Sequence, residues 1–110
     1  MPRSIRKLLL DVTLSCEEII EFTSGKTFEE FKEDRMLQLA IEREFEIIGE
    51  ALFRLEKVDQ QNLGKKIPEY GKIVGFRNVI IHGYDIIDIA ALWDFIRNHV
   101  PELLEKARNY

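Results

Sequence analysis

The sequence predicts an all-α protein: a bundle of about five helices with an up-and-down core, in which the long helices bury one another. Two observations carry this. Apolar residues recur every three to four positions over residues 4–22 and 35–57, the period of one helical face. Capping residues and breakers then punctuate the chain, with Thr27 and Asp34 ahead of helical patterns and Gly25, Pro68 and Pro101 interrupting them. The 110 residues suffice for one domain, spanning residues 1–110, with one modest core.

The first helix is expected over residues 4–22. Ile5, Leu8, Leu9, Val12, Cys16, Ile19 and Ile20 form its stripe, and Thr23-Ser24-Gly25 stops it. Gly25-Lys26-Thr27 resembles the end of a phosphate-binding loop, but Ile20 occupies the place of the required glycine and no strand precedes it. Thr27 with Glu30 fits a capping box instead, opening a short turn over Phe28 and Phe31.

Asp34 is the expected cap of the longest helix, residues 35–57. Leu37, Ala40, Ile41, Ile48, Ala51, Leu52 and Leu55 make its main stripe, and Met36, Leu39, Phe45, Ile47 and Phe53 widen it. A helix this apolar is sandwiched in the bundle or in a subunit interface, which predicts a homodimer. Gly49 suits close approach of another helix. Arg43, Glu46 and Glu50 line one edge, as a solvated face with ion pairs rather than a metal site: two carboxylates without an adjacent His or Asp are a poor signature. Residues 58–68 read as a loop, and Pro68 suits the first position of the next helix. That helix carries Tyr70, Ile73, Val74 and Phe76. The last helices begin near Asp85 or Asp88, and Pro101 predicts a break over residues 98–100. His99 falls at that break as a structural or surface residue, and Trp93 reads as a core anchor.

The formal net charge is −4, which excludes a broadly basic protein that coats phosphate backbones. Any RNA contact is local: over residues 65–82, Lys65, Lys66, Lys72 and Arg77 stand against the single acid Glu69. Cys16 is the one cysteine, so no internal disulfide forms, consistent with a reducing compartment. Leu8-Leu9-Leu10 is too short for a membrane span. These readings predict a cytoplasmic protein.

The stretch with chemical content is G-F-R-N-V-I-I-H-G-Y from Gly75 to Tyr84, in which Arg77, His82 and Tyr84 stand as R-x4-H-x-Y. If residues 76–82 are helical, Asn78 and His82 share a face, and Gly83 suits a helix end. A guanidinium pairs with phosphate through two parallel hydrogen bonds. An imidazole gives or takes a proton near neutral pH. The plainer reading of the same residues is a helix-capping histidine and a surface arginine.

Together with E-I-I-G-E-A-L from Glu46 to Leu52, this run resembles the HepT-like branch of the HEPN superfamily. The resemblance implies a small helical toxin, partnered by a minimal nucleotidyltransferase antitoxin of the MNT type. It implies a metal-independent endoribonuclease without cofactors, whose paired motifs meet at a dimer cleft. Arg77 and His82 then carry the catalysis, and Asn78, Tyr84 and Lys72 support it or bind RNA. The motif tyrosine, here Tyr84, is the position at which the partner attaches AMP. A second reading is a non-catalytic HEPN module that binds nucleotide or presents substrate to a nucleotidyltransferase. A third is a purely structural dimerisation bundle.

Overall fold

The computed structural model describes the backbone of residues 2–81 and 88–110, and the side chains of residues 2–76 and 88–110. Among the described residues six helices follow in order: α1 Arg3–Thr23, α2 Phe28–Glu33, α3 Arg35–Lys66, α4 Tyr70–Ile81, α5 Ile89–Asn98 and α6 Val100–Arg108. No strand occurs among the described residues. The protein is all-α, and α3 is its spine, with α1 and α4 packed along it and α6 on α1.

Local signals set most boundaries. The Thr27 hydroxyl accepts from the Glu30 amide while the Glu30 carboxylate accepts from the Thr27 amide, a complete capping box. Asp34 caps α3 by accepting from the Leu37 amide at 3.0 Å. Asp88 caps α5 through the Ala91 amide at 3.1 Å. The break falls at His99, and Pro101 sits in the first turn of α6, where a missing N–H costs nothing.

The expected loop over residues 58–68 is largely helix. α3 runs on to Lys66 across one non-helical residue, Asp59, at φ −154° and ψ 44°. Leu63 and Ile67, four residues apart, are both fully buried. The core thus holds this polar stretch in helix although its sequence shows no stripe. Pro68 lies in the turn before α4 rather than at its first position, because the Tyr70 amide bonds back to the Ile67 carbonyl.

The core takes Val12, Cys16 and Ile19 from α1, Phe31 from α2, and Ile41, Phe45, Ile48, Leu52, Leu55 and Leu63 from α3. Leu92, Leu103 and Val100 close it from α5 and α6. Burial pushes the Cys16 thiol up to about 12, aided by the neighbouring Glu44 and Glu17 charges. Gly49 is buried within α3. Four expected stripe members differ: Ile20 is exposed, and Leu8, Leu37 and Ala40 are only half-buried. Trp93 packs on Phe31 with ring centroids 5.0 Å apart, but it is half-buried, and Arg97 covers its outer face at 4.4 Å. Arg97 also donates to the Thr23 and Lys26 carbonyls, tying α5 to the turn after α1.

Candidate functional site

α4 carries the motif, and aromatic packing fixes its position. Phe76 stacks on Phe95 with nearly parallel rings (5.4 Å, 6°), and both meet the edge of the fully buried Phe45. Ile73, 2% exposed, anchors the preceding turn. These contacts clamp α4 between α3 and α5. The backbone of Arg77 and Asn78 continues that helix, which is described through Ile81. The side chains of Arg77 and Asn78, and all of His82 and Tyr84, lie outside the described residues.

Of the residues flanking the motif, Tyr70 turns back to α3. Its hydroxyl donates to Glu56, which raises its pKa. Phe76 serves the core. Lys72 is exposed at the rim of a cavity of about 420 Å3 between α4, α5 and α6, lined also by Glu69, Ile73, Phe95, His99 and Glu102. His99, exposed as expected, also belongs to this cavity, and its ring lies 5.0 Å from that of Phe95. Lys106 crosses the margin, donating to both Glu69 oxygens at 3.0 Å and pairing with Glu102 at 2.9 Å. Nothing in the sequence tied Glu69, Phe95 and Glu102 together, because they come from the turn before α4, from α5 and from α6.

A second, polar groove of about 230 Å3 lies between α1 and α3. In it Arg43 pairs with Glu46 at 3.1 Å and Arg54 with Glu50 at 2.9 Å, the ion-paired helix face that the spacing predicted. Among the described residues, no three His, Cys, Asp or Glu side chains converge to hold a metal ion. None of the described helices is long and apolar enough to cross a membrane.

Sequence reasoning passed over Glu44. It is 6% exposed on the seam between α3 and α1, and its Oε2 has no hydrogen-bond partner. Desolvation pushes its carboxyl up to about 7; the adjacent Glu18 adds to the rise, against the Ser15 hydroxyl and Arg43. Glu42, also buried, keeps Arg35 at 3.7 Å.

The chain matches the family model described as "Ribonuclease HepT-like" over residues 12–110, a span that contains the whole motif. It is 35% identical to "Probable ribonuclease HepT" of Thermococcus cleftensis over 106 residues, covering 96% of this chain and 94% of that one. It is 33% identical to "Putative RNase MJ1380" of Methanocaldococcus jannaschii over 103 residues, covering 92% and 91% of the two chains. It is 34% identical to "Putative RNase TTE0752" of Caldanaerobacter subterraneus over 103 residues, covering 94% and 90%. No solved structure matches. With the motif, the all-helical bundle and these similarities in hand, the chain is a member of the HepT-like ribonuclease family.

Proposed function

We propose that this protein is a metal-independent endoribonuclease, the toxin of a toxin–antitoxin pair, acting as a homodimer with Arg77 and His82 at the dimer cleft. One observation carries the reading: a complete R-x4-H-x-Y at Arg77, His82 and Tyr84 in a chain of the HepT-like ribonuclease family. The names of the relatives, each a ribonuclease, support it. Apolar side chains left exposed on α1 and α3, among them Leu10, Leu14, Met36, Leu39 and Val58, are open to contact with a second copy.

In the reaction, the ribose 2′-hydroxyl attacks the adjacent phosphorus. The O2′–P bond forms as the P–O5′ bond breaks, leaving a 2′,3′-cyclic phosphate and a 5′-hydroxyl. The hydroxyl proton leaves to a base, and the departing 5′-oxygen takes one from an acid. His82 serves in this proton transfer, a role worth about 10²–10⁴-fold. Arg77 stabilises the charge gathering on the phosphoryl oxygens. Asn78 orients the phosphate or the imidazole, and Tyr84 contacts RNA. AMP placed on Tyr84 by a nucleotidyltransferase antitoxin adds charge and bulk beside the site and blocks RNA.

The test is RNA cleavage by purified protein in EDTA, with His82→Ala and Arg77→Ala prepared identically. Wild-type cleavage leaving cyclic-phosphate ends, lost in both variants while helicity persists, is the expected result. A dimeric, unmodified wild type that cleaves no RNA class refutes the nuclease and leaves the nucleotide-presenting module. Equal cleavage by all three proteins marks a contaminant.

A further inference from the structure

The cavity between α4, α5 and α6 plays no part in the reaction just described. Its volume of about 420 Å3 falls in the range of small-ligand pockets. Ile73 and Phe95 give it an apolar floor, and the imidazole of His99 extends the ring column Phe76–Phe95–His99 to the surface. His99 makes no side-chain cap to α6 and stands 3.9 Å from the exposed Asp94, so its ring is not committed to holding the fold. Glu69, Glu102 and Lys72 form the polar margin. Lys106 bridges the two carboxylates, fixing them as acceptors while cancelling part of their charge. The four charged groups, Glu69, Glu102, Lys72 and Lys106, sum to zero.

A purely apolar ligand would desolvate Glu69, Glu102 and Lys72 without replacing their water. A polyanion would meet two carboxylates. One nucleotide satisfies every group: a flat base for His99 and Phe95, N–H donors for the carboxylates, and a single phosphate for Lys72. We infer that this cavity is a subsite for one amine-bearing base (adenine, cytosine or guanine) of the RNA strand, with His99 as its stacking platform. The inference rests on the endoribonuclease reading and adds a base preference to it. Lys72 precedes Arg77 by five residues of α4, about 7.5 Å of helix rise. A strand seated in the cavity therefore lies within two helical turns, along the axis of α4, of the start of the motif.

The test uses fluorescent hexamers with 2′-O-methyl riboses, which lack the nucleophile and cannot be cleaved: oligo-A, oligo-U and an abasic chain. Anisotropy gives Kd for wild type, His99→Ala, His99→Phe and Lys72→Ala, each checked for unchanged helicity. Wild type is expected to bind oligo-A about tenfold more tightly than the abasic chain, the scale of one stacked base, with oligo-U weaker than oligo-A. His99→Ala removes that difference without changing the salt slope, and His99→Phe restores most of it. Lys72→Ala weakens all three oligomers alike and lowers the salt slope by about 0.7, one phosphate contact. An unchanged ratio of oligo-A to abasic binding in His99→Ala overturns the subsite. Wild type that cleaves RNA yet binds all hexamers equally does so while sparing the nuclease. Wild type that binds free AMP in a His99-dependent way but no hexamer replaces the RNA strand with a mononucleotide and also overturns it. Failure to bind any of these ligands or to cleave RNA overturns both readings.

Discussion

Replacing Glu44 by glutamine should stabilise this protein above neutral pH and leave it unchanged in acid. Glu44 sits at the α1–α3 seam, 6% exposed, with Glu18 beside it and one oxygen unpartnered. Desolvation first, and then Glu18, raises its carboxyl from an ordinary 4.5 to about 7. Between those values the folded state holds more protons than the unfolded chain, so stability falls as pH rises through that window. The full span corresponds to roughly 3 kcal/mol. Glu18 is exposed and solvated, and such screening brings the expected loss to about 1–2 kcal/mol. The glutamine amide is nearly isosteric and neutral at every pH. It should raise Tm by about 4–8 °C at pH 8 and by almost nothing at pH 4.5. The assay is thermal unfolding by circular dichroism across pH 4.5–8 for both proteins. A variant less stable than wild type at pH 8, or a Tm difference independent of pH, refutes the reasoning. Glu44 would then be an ionised partner of Arg43.

Three further outcomes test the packing. Leu63→Ala should cost about 2–5 kcal/mol in urea unfolding, because the second half of α3 is core; a cost below about 0.5 kcal/mol would restore the loop that the sequence suggested. Cys16 should resist a thiol reagent such as DTNB at pH 8 until the protein is unfolded, since it is fully buried and its thiol is pushed up to about 12; rapid native-state labelling would contradict that burial. Tyr110→Phe removes the 2.8 Å hydrogen bond from the Tyr110 hydroxyl to Asp59. It should cost about 1 kcal/mol, with faster amide exchange around the Asp59 kink; unchanged exchange there would mean that the bond does not hold the kink.

The sequence reading succeeded where a signal lies within one helical turn. The capping box of Thr27 and Glu30, the cap Asp34 and the break before Pro101 are made by residues at most four apart, and each appears as expected; of the two cap candidates Asp85 and Asp88, Asp88 caps α5 and Asp85 lies outside the described residues. It failed where the deciding contact is distant. Residues 58–66 carry glutamines, an asparagine and a glycine, and they looked like loop. They are helical because Leu63 reaches the core, and Asp59 is met by Tyr110 from 51 residues away. Ile20 has the right period for the stripe of α1 but falls at its exposed edge, because period fixes a face and not what covers it.

The candidate site divides the same way. The motif Arg77, His82 and Tyr84 and the family it marks are legible in a single line of sequence, because one short segment supplies all three residues. The cavity between α4, α5 and α6 was invisible there. Glu69 meets Lys106 across 37 residues, and Phe95 joins Phe76 only when α5 folds onto α4. By itself the sequence determined the all-helical class, the caps and breaks at most helix ends, and the family, through hydrogen bonds and periodicities that close locally. The tertiary structure alone decided which carboxylate is desolvated at the α1–α3 seam and which rings and charges share a cavity. Burial and charge pairing act through space, between groups whose neighbours are set by helix packing and not by chain order.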